Sequence, residues 1–218
     1  VGLSDLWLNL RRTLEERSPG ERLFAGVYWS GIDSVGHAYG PESDYTPAAL
    51  HHLARSLWEG FLDPLSPSLR GGTLLVITAD HGQIPTPPAR VVHLPDHPDL
   101  WDSFLVPPAG EARASYVYVR PGDTDQVLDY VATHLGDRFL ALETERALEA
   151  GLWGAPDRVT PELRARLGDV LILATGDSRL STRPRREGEN NGGLQGHHGG
   201  LTPQEMLVPL LMARLDAL

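Results

Sequence analysis

Apolar residues in this chain recur at helical spacing in some stretches and at strand-like spacing in others. Leu3, Leu6, Trp7, Leu10 and Leu14 return every three or four residues, which predicts an amphipathic helix over 3–18, ended by Ser18-Pro19-Gly20. RLFAGVYWS (22–30) reads as a buried strand, followed by a loop, GIDSVGHAYGPES (31–43). Residues 44–63 are predicted helical, with Leu50, Leu53, Leu57 and Phe61 on one face. Gly71-Gly72 resets the chain before a buried strand, TLLVITA (73–79).

PTPPARVVHLPDHPDL (85–100) is too rich in proline for a helix and is expected to wind across the surface. A strand over 112–120 and a helix over 124–138 come next, the helix turning Val127, Leu128, Val131 and Leu135 inwards. FLALET, a short helix, TPELRARLG and a strand, DVLILAT (169–175), follow. The polar, glycine-rich STRPRREGENNGGLQG (181–196) is expected to be a mobile loop. Strands alternating with helices predict an α/β fold with a mainly parallel sheet flanked by helices. No internal repeat or linker divides the 218 residues, which suit one domain or a large part of one.

Composition narrows the classes of function. A net charge of −10, with no basic cluster longer than RPRR (183–186), disfavours long nucleic acid as a partner. No apolar run approaches the ~18 residues of a membrane span. Charges interrupt the first twenty residues, as in an amphipathic helix and unlike a signal peptide. The absence of cysteine excludes disulfides and thiolate metal sites. All 19 basic residues are Arg, which coding bias explains more simply than physics.

In open α/β sheets, ligands collect at the carboxyl ends of strands. One such end runs into Asp33 and, four residues on, His37; another into Asp80-His81-Gly82; a third cluster, GHHGG, spans 196–200. Each has a plainer reading. Asp33 suits a turn or cap, Asp80 a helix start, and His197-His198 a surface turn. Three such clusters at predicted loop positions point instead to a metal. Carboxylates and imidazoles without sulfur suit catalytic zinc, with manganese the neighbouring choice. Thr202-Pro203-Gln204-Glu205 forms a capping box with proline at the first helical position, so a helix should begin directly after GHHGG and anchor it. His51, His52 and His134 fall in predicted helices. His93 and His97 could line a cleft but are not taken as ligands.

GIDSVGHAYGPES, TADHG and GHHGGLTPQEMLVPLL together resemble the type I phosphodiesterase and nucleotide pyrophosphatase branch of the alkaline phosphatase superfamily, from about residue 22 to 210. TADHG occurs across that superfamily; the Asp-x-x-x-His followed by Gly-Pro, and HGGLTPQEM, narrow the match. The resemblance implies two zinc ions, the first held by Asp33, His37 and His198, the second partly by Asp80 and His81. His198 is preferred to His197 because the family histidine directly precedes the Gly-Gly pair. It also implies hydrolysis of a small phosphate-ester or nucleotide substrate. In the mechanism this resemblance implies, one zinc would activate the attacking hydroxyl, the other would stabilise the leaving oxygen, and water would release a covalent intermediate.

The family pattern also needs an upstream Asp ligand and a Thr or Ser nucleophile at a helix start. Ser4, Asp5 and Thr13 lack that context. Residues 1–218 are therefore expected to be the carboxyl-terminal portion of a single alkaline-phosphatase-like catalytic domain, partnered by the missing amino-terminal portion and inactive by itself. Other readings keep the metals and change the substrate: a phosphonate hydrolase, phosphomonoesterase, sulfatase or phosphoglycerate mutase relative. Another is a metal-binding fragment that is not catalytic alone.

Overall fold

The computed structural model describes residues 2–18, 20–185 and 193–218. Its helices are α1 (Leu3–Glu15), α2 (Gly31–Tyr39), α3 (Tyr45–Leu57), α4 (Pro67–Arg70), α5 (Pro98–Trp101), α6 (Thr124–His134), α7 (Thr144–Glu149), α8 (Pro161–Leu167) and α9 (Pro203–Met206). Its strands are β1 (Leu74–Thr78), β2 (Ile84–Pro85), β3 (Val91–His93), β4 (Ala109–Glu111), β5 (Ala114–Val117), β6 (Phe139–Glu143), β7 (Val170–Ala174), β8 (Arg179–Ser181), β9 (Gly196–His197) and β10 (Leu210–Arg214). The chain forms two compact units, one from the residues up to Asp80 together with Val208–Leu218, the other from His81–Leu207.

In the first unit the apolar stripe of α1 does what its spacing predicts. Trp7 is buried against Phe61, Leu62, Leu65 and Leu215, with Leu3, Leu6, Leu10 and Leu14 packed around them. The Trp7 indole N–H donates to Ser56 Oγ at 2.6 Å, so the ring's polar edge is satisfied where its body is buried. After α3 the chain widens into a π-helical turn, Trp58–Leu62, which brings Phe61 and Leu62 inwards. Leu50, expected on that inner face, is exposed.

Two strand expectations for this unit also fail. Residues 22–30 are not a buried strand: they join no ladder among the described residues, and Phe24 is 93% exposed. A strand needs a neighbour to take its backbone N–H and C=O groups, and apolar composition cannot supply one. β1 does form, pairing antiparallel with β10, but it is not buried: Leu74, Val76 and Ile77 are exposed, as are Leu210, Leu211 and Met212 opposite.

The second unit is built on a four-stranded antiparallel sheet, ordered β4-β5-β7-β6. β7 is central, and all five of its residues are buried. Val170, Ile172 and Ala174 face a core with Val127, Val131 and Leu135 of the α6 region, while Leu171 and Leu173 face another with Ala147. A strand covered on both sides reads as a continuous apolar run, as DVLILAT does. Gly168, at φ +65°, precedes it where an added Cβ would lie 2.5 Å from the Val117 carbonyl oxygen.

The α/β class holds, but pairing among the described strands is antiparallel except for β3 with β8. Helices α7 and α8 lie between β6 and β7 in sequence, yet those strands run antiparallel, so strand–helix alternation did not mean parallel crossovers here. The proline-rich stretch is also not superficial. Val91, Val92, Leu94 and Leu100 are buried, because short 3-10 turns at 88–90 and 94–96 accommodate the prolines while the apolar residues between them face the core. Of the expected mobile loop over 181–196, residues 186–192 lie outside the described ones; its ends belong to β8 and β9.

Candidate functional site

The motif GIDSVGHAY is helical, not a loop, and the helix accounts for its spacing. α2 carries Asp33 in its first turn and His37 in its last, favourable positions for a carboxylate and an imidazole against the helix dipole. Four residues apart, they share one face, with Asp33 Oδ1 and His37 Nε2 at 3.2 Å. The helix stops at Gly40, whose φ of +93° favours glycine. In the same unit Asp80 lies just beyond the end of β1 and accepts a hydrogen bond from the Tyr28 hydroxyl at 3.4 Å. The Asp80 charge, and behind it that of Asp33, pushes the Tyr28 phenol above its usual range. A bound cation would offset this concentration of negative charge.

The second unit holds the remaining residues. His81 and His198 stack with ring centroids 3.6 Å apart and planes tilted by 16°. His81 Nδ1 also sits 2.9 Å from the Gly82 carbonyl oxygen. His197 is separated from its neighbour by the alternation of extended backbone. It belongs to β9, pairs with Ile84 of β2, and is buried with Nδ1 2.6 Å from Thr86 Oγ1. The donor sets, carboxylate with imidazole in one unit and paired imidazoles in the other, fit a divalent ion of the zinc type and lack any soft sulfur ligand.

Behind the histidine pair lies a buried ion pair that the sequence reading did not anticipate. Arg113 and Glu205 are 0% and 2% exposed. Arg113 Nε and Nη2 donate to the two Glu205 carboxylate oxygens at 2.6 and 2.8 Å. Its remaining donors reach the carbonyls of Ser178 and, at 2.9 Å, Gly176. Burial by itself would raise the Glu205 pKa, but hydrogen bonds from Arg113, Thr202 and the Gly200 amide hold it below its ordinary value. Removing one member of such a pair typically costs about 3–5 kcal/mol. Glu205 was legible as the acidic residue that closes a capping box, which the structure contains. Arg113 carried only a weak signal, a charge at the start of an apolar strand.

Of the other histidines, His51, His52 and His134 are exposed on helices. His97 Nδ1 lies 3.0 Å from the Tyr130 hydroxyl. His93 is buried, with Nδ1 2.8 Å from the Arg183 carbonyl oxygen. It helps to line an open cavity of about 680 Å³ in the second unit, together with Glu111, Arg179, Arg183 and His197. Burial lowers the Arg179 pKa, and its Nε finds no hydrogen-bond partner among the described residues.

Known proteins share this fold. Human ectonucleotide pyrophosphatase/phosphodiesterase 5 superposes with a TM-score of 0.66 at 18% identity, over 97% of this chain and 52% of that one. The murine enzyme, as an inactive variant in complex with AMP, gives 0.63 at the same identity and coverage. Phosphonoacetate hydrolase from Sinorhizobium meliloti 1021, in complex with phosphonoformate, gives 0.56 at 22% identity, over 83% of this chain and 43% of that one. The chain thus spans about half the length of these proteins. No curated protein matches it in sequence. A match to the model of type I phosphodiesterase / nucleotide pyrophosphatase runs from residue 2 to 201, and on that match the chain belongs to this family.

Proposed function

We propose that this chain supplies part of the metal centre of a phosphoric ester hydrolase of the phosphodiesterase or nucleotide pyrophosphatase type. Asp33, His37 and His198 hold one zinc ion; Asp80 and His81 contribute to a second, whose other ligands lie outside these 218 residues, as does the Thr or Ser nucleophile. The observation that carries the reading is the convergence of Asp33 and His37 on one face of α2. The stacked histidines support it too. Two imidazoles held side by side would suit a two-metal site in which each ion takes one of them. When bound, the ions supply Lewis acidity at the phosphoryl oxygens.

The residues of this chain hold and orient. Asp33 and His37 present their donors from a rigid helix, and His81 and His198 present theirs from turns fixed by glycine. The cavity beside His197 offers Arg179 and Arg183 to an anionic part of a phosphate-ester or nucleotide substrate, which explains how a protein of net charge −10 can bind one. The exposed apolar residues of β1 and β10 suit packing against the rest of the same catalytic domain.

Elemental analysis of the dialysed 218-residue chain tests the ligand assignment. One zinc per chain is expected, from the complete first site with the second lacking its outside ligands. Two would mean that the second site is completed within this chain or by another copy, and none would count against the assignment. The likeness to phosphonoacetate hydrolase favours a second reading, with the same metals acting on a carbon–phosphorus bond. Turnover of aryl phosphodiesters but not phosphonates by the intact protein separates the two.

A further inference from the structure

We infer that the buried Arg113–Glu205 pair is a positioning device that fixes His81 and His198 together as metal ligands. The inference rests on the ligand reading proposed above.

Glu205 reaches both histidine motifs at once. Its side chain holds the GHHGG turn: Oε1 accepts from the Gly200 amide at 2.8 Å, two residues beyond His198, and Oε2 accepts from Thr202 Oγ1 at 2.7 Å. Its backbone carbonyl holds the other motif, accepting from the Gly82 amide at 2.7 Å, one residue beyond His81. The two ligands are thus fixed through the same residue.

Glycine is required on both sides of the contact. A Cβ on Gly82 would lie 1.9 Å from the Gln204 carbonyl oxygen, and one on Gly200 would lie 2.8 Å from the Glu205 carboxylate and 3.0 Å from Arg113. The backbones therefore approach as closely as they do only because neither position carries a side chain.

Arg113 prevents the carboxylate from moving. Its fork binds both oxygens, and its other donors are taken by carbonyls in the turn before β8. A carboxylate held by a bidentate guanidinium has little rotational freedom, so the Gly200 amide and the turn it carries have one position. Neither Arg113 nor Glu205 is proposed to touch metal or substrate.

The test compares the intact protein with two variants, reading zinc affinity by competition with a chromophoric chelator and stability by thermal melting. In Glu205→Gln the bidentate pair is broken, and zinc affinity should fall by about 10–100-fold, as for other outer-shell partners of metal ligands. In the double variant Arg113→Met/Glu205→Leu, apolar groups replace both charges. The melting temperature should return to or exceed the original, because apolar replacement of a buried ion pair is often neutral or stabilising. Zinc affinity should nonetheless stay low, since nothing then holds the Gly200 amide.

Recovery of affinity together with stability in the double variant would overturn the inference and leave the pair a structural element only. Unchanged affinity in Glu205→Gln would do the same. If Glu205→Gln does not fold, the double variant decides alone. If the unmodified protein binds no zinc, the ligand reading itself fails and the positioning role falls with it, a result distinct from loss in the variants alone.

Discussion

Two adjacent histidines with different surroundings give the sharpest contrast at the scale of single residues. His198 stacks on His81, whereas His197 is buried against Thr86. We expect His198→Ala to lose the first ion, with an affinity drop exceeding the roughly 10–100-fold typical of outer-shell partners. His197→Ala should keep most of the metal and cost about 1 kcal/mol or more of stability through the orphaned Thr86 hydroxyl. Equal metal loss in both, measured by elemental analysis, would reverse the assignment. Gly82→Ala forces a Cβ onto a backbone oxygen and should cost about 1–3 kcal/mol in urea unfolding. A cost below the lower figure would mean that the backbone yields there.

Glu205 gives a pH prediction. Its folded pKa lies below the ordinary 4.5, so it binds protons less readily in the folded protein than in the unfolded chain. Its contribution to stability is therefore complete above that ordinary value and declines as pH falls through the lower, folded one. Melting curves of the unmodified protein should thus fall more steeply on acidification than those of Glu205→Gln. Parallel curves would show that other groups dominate. Asp33, His37, Asp80, His81 and His198 could be picked out as candidates because chemistry-bearing side chains stood near glycines. Tyr28, Thr86 and Arg113 were not, because their partners lie 52, 111 and 92 residues away and no local pattern marks such pairs.

At the scale of elements, legibility followed how local the cause was. α1 and α6 were read correctly because one apolar stripe meets one core, and β7 because a strand covered on both faces is apolar throughout. α2 was missed because Gly31, Gly36 and Gly40 look like loop punctuation, whereas Gly36 is the buried residue of the helix and Gly40 its stop. The signal present was the four-residue step from Asp33 to His37. Residues 22–30 were misread because composition suggested a strand while pairing depends on a neighbour. At β7, Ile172→Ala should cost about 2–5 kcal/mol in denaturant unfolding, since Ile172 is 1% exposed within a packed core. A cost under about 1 kcal/mol would mean that the core collapses around the gap.

At the scale of the whole molecule, the first unit carries much exposed apolar surface. Phe24 and Val27 lie on the unpaired stretch, Leu74, Val76 and Ile77 on β1, and Leu210, Leu211 and Met212 on β10. By the ladder register Val76 and Met212 lie on one face and Ile77 and Leu211 on the other, and exposed apolar surface of this extent suits contact with a partner. On the proposed part-domain reading, the 218-residue chain should bind 8-anilinonaphthalene-1-sulfonate strongly, and a longer protein that includes the residues proposed to complete the domain should bind it weakly. Equal fluorescence from both would count against that reading. Sequence patterning marked these residues as apolar, but not what covers them, because hydrophobicity along one chain is silent about where a partner surface comes from.

The pairing of β2 with β9 has a consequence for how the site comes into being. Thr86 and His197 meet across 111 residues, and the stacked histidines lie just outside that contact. Closing so long a loop carries a large entropic toll that local contacts cannot repay early, so this pairing belongs among the late events of folding. During synthesis the α2 pair and His81 emerge long before His198 does. On the ligand roles proposed above, zinc binding by the histidine pair would then require that His198 has been made and that β9 has met β2, so metal uptake would report this long-range pairing.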